Sequence, residues 1–295
     1  MENVSLISRR GLLIGGLLAG PALASRKALA QTGAGDAQAG FADLERDHGG
    51  RLGVCVLDVA TGRRLEHRAD ERFAMCSTFK VLAAAMVLTR VDRGEESLDR
   101  RIVYSKESVV SYSPETEKHA GEDGMTLGEI CKAGLTLSDN TAANMMLESL
   151  GGPANLTEFA RSLGDGVTRL DRIETGLNEA KPGDPRDTTS PAAMADNLRK
   201  ILLGDALSAS SRYQLANWMV ANKTGDKRLR AGVPRDWRVG DKTGSGGNAE
   251  TNDIAVLWPP GRAPIIVTAY FAESPASDEA RNTVLAEVGR LAATI

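Results

Sequence analysis

Met75-Cys76-Ser77-Thr78-Phe79-Lys80 leads directly into Val81-Leu82-Ala83-Ala84-Ala85-Met86-Val87-Leu88. The second run is apolar on nearly every side of a helix, so it is expected at the centre of a domain. The first run then puts a hydroxyl and an amine at the buried end of that helix. Residues three apart share a helical face, which brings Ser77 and Lys80 within reach of each other. A buried lysine is costly unless its charge is paired. A serine in the first turn feels the positive end of the helix dipole. Together they make a candidate activated nucleophile. Taken alone, Ser-x-x-Lys reads more simply as a capping serine and a snorkelling lysine. The chemistry depends on what else the chain carries.

Working outward, the 295 residues are enough for one large domain or two intertwined ones. Apolar residues at 42% and charged residues at 25% are the balance of a soluble globular protein. The net charge of −3 comes without a basic block, so nothing points to nucleic acid or an anionic membrane surface. Aromatics at 4% argue against a stacking platform for single strands. The three histidines, His48, His67 and His119, are far apart, and no metal-ligand spacing occurs, so neither a metal nor another cofactor is expected. No G-x-S-x-G elbow of a Ser-His-Asp hydrolase is found. Cys55, Cys76 and Cys131 allow at most one disulfide, and free buried thiols are expected.

Residues 1–30 are expected to be a removed export signal. Arg9-Arg10 opens a twin-arginine pattern, Leu12 to Leu23 is a short apolar run, and Ala28-Leu29-Ala30 is a small-x-small cleavage site. Cleavage there removes four cations and one acid, taking the net charge from −3 to −6. The expected partner is the twin-arginine export machinery, and the destination the periplasm. No stable membrane association is expected, and the protein is read as a monomer.

Arg51 to Val59 and Arg64 to Arg68 read as a β-hairpin about Ala60-Thr61-Gly62. From Ser97 to about Asn222 helix and loop dominate. Thr126 with Glu129 has capping-box spacing, further helices run Thr141–Leu150, Asn155–Leu163, Pro191–Leu203 and Ser208–Asn222, and Arg169 to Ser190 is a long irregular loop. Strands return at Arg238–Lys242, Asp253–Trp258 and Ile265–Phe271, followed by a helix over Asp278–Ala293. Strands at both ends with helices between predict an α+β fold: an antiparallel sheet of about five strands formed by both termini, with flanking helices. Residues 31–70 and 220–295 would form the α/β domain, and 71–219 an inserted all-α domain.

Four features occur in order: Ser77-x-x-Lys80, Ser138-Asp139-Asn140, Glu174 with Leu177-Asn178, and Lys242-Thr243-Gly244. Ser-x-x-Lys, Ser-Asp-Asn and Lys-Thr-Gly together are an already described signature of class A β-lactamases and penicillin-binding proteins. With Leu170-Asp171-Arg172-Ile173-Glu174, Leu177-Asn178-Glu179-Ala180 and Tyr112-Ser113-Pro114, the mature chain resembles a class A serine β-lactamase of an extended-spectrum-like branch along essentially its whole length.

The resemblance implies hydrolysis of the β-lactam amide of penicillins and cephalosporins, and hence β-lactam resistance. Ser77 would become an acyl-enzyme with Lys80 beside it. Glu174 would deprotonate a water held also by Asn178. Whether Lys80 or Glu174 takes the first proton is left open by the sequence. Ser138, helped by Lys242, would pass a proton to the leaving nitrogen. The backbone N–H groups of Ser77 and Ser245 would form the oxyanion hole. Thr243, Ser245 and Ser138 would bind the substrate carboxylate beside the Gly244 turn, Asn140 the acylamide, and Tyr112 would line the mouth. Asp139 is expected to be structural, accepting backbone bonds, and Arg172 to pair with Asp187 across the long loop.

Three departures stand out. Thr251 occupies the place where many relatives carry an arginine, and Arg228 matches an alternative arginine for the substrate carboxylate. Cys76 lacks its usual disulfide partner, since that position is Gly246. Thr175 replaces a frequent proline, and the resemblance implies a cis bond before it. The competing readings are a penicillin-binding D-alanyl-D-alanine peptidase or transpeptidase and a β-lactam sensor domain. The first shares three motifs but not Glu174 with Asn178; the second is membrane-tethered and lacks the deacylating glutamate, whereas this chain carries the glutamate and a signal read as cleavable.

Overall fold

The computed structural model describes residues 1, 37–121 and 123–295; the twin-arginine segment and its cleavage site lie outside the described residues. Helix α1 occupies residues 37–48. Strands β1 (Arg51–Asp58) and β2 (Arg64–His67) form the expected hairpin, and β3 (Phe73–Ala74) follows. A 3₁₀ turn over Cys76–Phe79 opens helix α2 (Lys80–Asp92). After β4 (Arg101–Ile102) and β5 (Met125–Thr126) come α3 (Leu127–Thr136), α4 (Asn140–Ser149) and α5 (Pro153–Ser162). The long loop carries β6 (Thr188–Thr189) at its end. It is followed by α6 (Pro191–Leu198), α7 (Ala209–Val220) and the single-turn α8 (Leu229–Gly232). Strands β7 (Arg238–Ser245), β8 (Thr251–Trp258) and β9 (Ile265–Ala272) and helix α9 (Asp278–Ala292) complete the chain.

The five long strands pair antiparallel in the order β2-β1-β9-β8-β7, so the C-terminal meander closes against the N-terminal hairpin. Both faces of this sheet are covered. Val54 and Val56 of β1 pack with Phe41 of α1 and with Val284, Leu285 and Val288 of α9. Cys55 and Leu57, pointing the other way, join the larger core around α2. Burial on both faces explains why β1 reads as a nearly continuous apolar run rather than an alternating one.

Helix α2 is buried from Lys80 through Ala85 and again at Val87 and Leu88, as its all-round apolar sequence predicts. The capping box at Thr126 forms: its side chain accepts from Glu129 N, and Glu129 accepts from Thr126 N. Two refinements concern element ends, one of a helix and one of a strand. Pro191–Leu203 is not one α-helix, because a π turn over Arg199–Leu203 follows α6. β7 runs past Lys242 to Ser245, pairing with β8 as far as Thr251. That extension packs on the nucleophile turn: a Cβ on Gly244 would sit 2.8 Å from Met75 O and 3.2 Å from Cys76 Cβ, so glycine alone fits there. Among the described residues no helix is long and apolar enough to cross a membrane.

Candidate active site

The 3₁₀ turn that carries Ser77 begins at Cys76, a non-glycine residue with φ +45°. Such a conformation persists only where its surroundings enforce it. Met75 N donates to Asp187 O at 2.9 Å, and Asn252 Nδ2 donates to Ala74 O at 2.9 Å. The turn is therefore held from the long loop on one side and from β8 on the other.

Ser77 and Lys80 converge on one atom of a third residue. Ser77 Oγ lies 3.3 Å from Glu174 Oε1, and Lys80 Nζ lies 3.0 Å from the same oxygen. Lys80 is wholly buried and also donates to Ser138 O and Asn140 Oδ1, both at 2.8 Å. Burial pulls the Lys80 ammonium below the ordinary lysine range, while Glu174 opposes that shift.

Glu174 is fixed from three directions. Its backbone N–H donates to Asn144 Oδ1 at 2.8 Å and its carbonyl accepts from Asn144 Nδ2 at 2.9 Å. Its Oε2 accepts from Asn178 Nδ2 at 2.6 Å. Asn178 Oδ1 is buried and meets no protein donor, so it is an acceptor aimed beside the Glu174 carboxylate. The Glu174–Thr175 peptide is cis. Across the loop, Arg172 Nε donates to Asp187 Oδ2 at 2.6 Å and Arg172 Nη1 to Glu179 Oε2 at 2.7 Å.

Ser138 stands between the two lysines. Its carbonyl receives Lys80, and its Oγ receives Lys242 Nζ at 2.9 Å. Lys242 is also fully buried; desolvation, then repulsion from Lys80, drives its pKa well below the usual lysine value. Two buried amines thus hold one serine, Lys242 at its hydroxyl and Lys80 at its carbonyl. Asn140 is engaged on both sides, through Oδ1 to Lys80 and through Nδ2 to Ser111 O at 2.9 Å, leaving one amide hydrogen for a ligand. Tyr112 is 61% exposed, with φ +60°, and its carbonyl accepts from Asn140 N.

On β7, Thr243 Oγ1 meets Thr224 Oγ1 at 2.5 Å. Arg228 Nη2 donates to Ser245 Oγ at 2.7 Å, and Nη1 donates to Gly244 O and Asn252 O at 2.8 and 2.7 Å. A planar fork with this many fixed acceptors presents positive charge directly behind Ser245. Arg228 Nε is anchored by Asn282 Oδ1 at 2.9 Å. Thr251 accepts instead from Arg281 Nε at 3.0 Å.

Asp139 behaves as expected of a structural carboxylate, accepting from Glu115 N, Thr116 N, Thr116 Oγ1 and Ala142 N. All three cysteines are free and buried, and a Cβ on Gly246 would lie 2.6 Å from Cys76 Sγ. Sequence reasoning missed Asn144 and Asn282. Asn144 was detectable: it sits one turn beyond Asn140, a second amide on a helix otherwise rich in Ala and Met. Asn282 carried no such signal, since α9 there reads as a solvated face.

A family model described as "Beta-lactamase enzyme family" matches residues 37–294. Beta-lactamase L2 of Stenotrophomonas maltophilia is 52% identical over 253 residues, spanning 85% of this chain and 83% of that protein. Beta-lactamase CTX-M-8 of Citrobacter amalonaticus is 49% identical over 258 residues, 88% of each. Among solved structures, an ancestral (GNCA) class A β-lactamase superposes with TM-score 0.85 at 69% identity, covering 86% of this chain and 98% of its own. A putative class A β-lactamase PenP from Rhodopseudomonas palustris gives TM-score 0.86 at 62% identity, covering 87% and 98%.

Proposed function

Because this chain belongs to the β-lactamase enzyme family, we propose that its four motifs divide one hydrolytic cycle among them. The reaction is hydrolysis of the β-lactam amide by a class A enzyme, the activity behind β-lactam resistance. Ser77 Oγ attacks the lactam carbonyl as its proton passes to Lys80 or, through a water, to Glu174. The oxyanion forms against the backbone N–H groups of Ser77 and Ser245. The C–N bond breaks, and the ring nitrogen takes its proton from Ser138, which Lys242 assists. Glu174 then draws a proton from a water that Asn178 Oδ1 helps to hold, and that water cleaves the Ser77 ester. Thr243, Ser245 and Arg228 receive the substrate carboxylate, Asn140 the acylamide, and Tyr112 borders the mouth.

The observation that carries this reading is the meeting of Ser77 Oγ and Lys80 Nζ at Glu174 Oε1. One base reaches both the nucleophile and its lysine, with Asn178 alongside, which is what a chain that deacylates requires. Mixing with benzylpenicillin tests it. Absorbance should show continuous ring opening, while rapid-quench mass spectrometry captures a transient adduct on Ser77. A permanent adduct without turnover would identify a sensor or penicillin-binding protein instead.

Arg228 gives a narrower test. Arg228→Ala is expected to lower kcat/KM for benzylpenicillin by roughly ten- to a hundredfold, mostly through KM, the worth of a charge-assisted contact of about 1.5–3 kcal/mol. Arg228→Lys should recover little, because a single ammonium cannot serve Ser245, Gly244, Asn252 and Asn282 together. Unchanged kinetics in both variants would remove Arg228 from the carboxylate site.

The α/β division at 31–70 with 220–295 and the inserted 71–219 unit is supported by the five-stranded sheet, whose strands all come from the first of these units. Export to the periplasm by the twin-arginine route rests on Arg9-Arg10 and the Ala28-Leu29-Ala30 site, outside the described residues.

A further inference from the structure

A chain of hydrogen bonds runs inward from Thr243 on β7 to a buried carboxylate. Thr243 Oγ1 meets Thr224 Oγ1 at 2.5 Å. Thr224 Oγ1 lies 2.8 Å from Asn222 Oδ1, which also receives Thr224 N at 3.0 Å. Asn222 Nδ2 donates to Asp241 Oδ2 at 2.6 Å. Asp241 Oδ1 receives Arg230 through Nε at 3.0 Å and through Nη2. Asn222 and Asp241 are both buried. A Cβ on Gly225 would fall 1.8 Å from Asp241 Oδ2, so the segment carrying Thr224 lies directly on that carboxylate. Lys223 N, donating to Thr136 O at 2.9 Å, fastens the same segment to the end of α3.

Such a chain has one self-consistent polarity. The Asn222 amide is set at both ends: its NH₂ faces a carboxylate and its oxygen faces a backbone N–H. Turned over, it would put oxygen against oxygen and N–H against N–H. Asn222 Oδ1 cannot donate, so its contact with Thr224 Oγ1 uses the Thr224 hydrogen. Thr224 then has none left, and its bond to Thr243 uses the Thr243 hydrogen. Ser245, two residues along β7, is arranged the other way. An arginine only donates, so Ser245 Oγ accepts from Arg228 Nη2 and keeps its own hydrogen for a ligand.

We propose that Thr224 is a positioning residue that sets specificity at the carboxylate site: it takes the hydrogen of Thr243, so that Thr243 faces the site as an acceptor. A substrate carboxylate is itself an acceptor. It can take the Ser245 hydrogen at once, but it gains the Thr243 hydrogen only by breaking the bond to Thr224. Each bond of the chain polarises the next towards Asp241, which strengthens that hold. Thr224 therefore weakens the capture of a carboxylate without touching it. The inference rests on the reading of Thr243, Ser245 and Arg228 as the carboxylate site given above.

Neutron diffraction from crystals of the full protein exchanged into heavy water tests the polarity without reference to hydrolysis. Deuterium on Thr243 Oγ1 should point at Thr224, and deuterium on Thr224 Oγ1 at Asn222. Deuterium on Thr224 pointing at Thr243 overturns the proposal. Kinetics test the consequence. Thr224→Val keeps the shape and removes the acceptor. Its kcat/KM for benzylpenicillin should rise about three- to tenfold through KM, with kcat little changed, which is the worth of one neutral hydrogen bond no longer broken. Thr224→Ser should behave as the natural chain. The methyl ester of benzylpenicillin, which offers no carboxylate, should show no rise. Added to Thr243→Val, the Thr224→Val change should gain nothing. An unchanged or lowered kcat/KM in Thr224→Val, or an equal rise with the ester, overturns the specificity role. A natural chain that does not turn over benzylpenicillin would sink the hydrolase reading and this role with it. The deuterium positions bear on the polarity alone, so the two failures are told apart.

Discussion

Glu174→Ala is expected to convert the enzyme from a hydrolase into a β-lactam trap. Steady-state turnover of benzylpenicillin should fall by about 10²- to 10⁴-fold, the range for removal of a positioned general base. The intact protein should carry one equivalent of opened lactam on Ser77, persisting from minutes to hours. Acylation is expected to survive, for a reason visible in the electrostatics. Glu174 is the principal group holding the Lys80 pKa up against the effect of burial. Removing it leaves Lys80 with two neutral acceptors, Ser138 O and Asn140 Oδ1. Its pKa then falls further, so more of it is the free amine that can accept the Ser77 proton. Deacylation has no such substitute, because Asn178 supplies only an acceptor and a donor, not a base. Burst kinetics with mass spectrometry distinguish the outcomes. A variant that neither acylates nor turns over would assign the first proton transfer to Glu174; undiminished turnover would refute its role.

This division of labour was partly legible in the residues. Ser77-x-x-Lys80 is local, and the buried helix behind it announces itself in an unbroken apolar run. Glu174 is different: it lies 97 residues from Ser77, and no periodicity links them. What brings it to the nucleophile is a loop fastened at both ends, by Asn144 to its peptide and by Arg172 with Asp187 across its base. Only the resemblance placed it in the site, and the geometry then supplied its contacts. Elements too short to carry a period were not legible. The two-residue pairings β3 with β6 and β4 with β5, and the four-residue α8, bury few apolar side chains of their own. Yet α8 follows directly on Arg228, and β6 ties the end of the long loop to the strand before Ser77. Glu250 shows the opposite failure. Between Gly247 and Thr251 it reads as an ordinary solvated turn acid, and only the packing of β1, β3 and the long loop over it reveals a buried carboxyl.

Asp139 lies inside one of the signature motifs, so the sequence invites a chemical role that the structure does not give it. Its carboxylate is fully buried and accepts four hydrogen bonds, from Glu115 N at 3.0 Å, Thr116 N at 2.9 Å, Thr116 Oγ1 at 2.8 Å and Ala142 N at 2.9 Å. One of these caps α4, where the helix dipole favours negative charge. The others pin the segment after Tyr112 against that helix. Asp139→Ala leaves four donors, three of them buried, with no acceptor, and the expected loss is about 3–5 kcal/mol of stability, or roughly 10 °C in Tm. Activity should fall with it, because Ser138, at φ +59°, and Asn140 are its direct neighbours and depend on the same turn. Asp139→Asn separates structure from chemistry. The amide oxygen keeps acceptor capacity, but its NH₂ now faces donors, so stability should fall by roughly half as much. If Asp139 only supports the turn, kcat/KM across Asp, Asn and Ala should track the fraction of correctly folded site, and Asn should retain much of the activity. An Asn variant that is nearly as stable as the natural chain yet as inactive as Ala would instead make Asp139 a proton carrier.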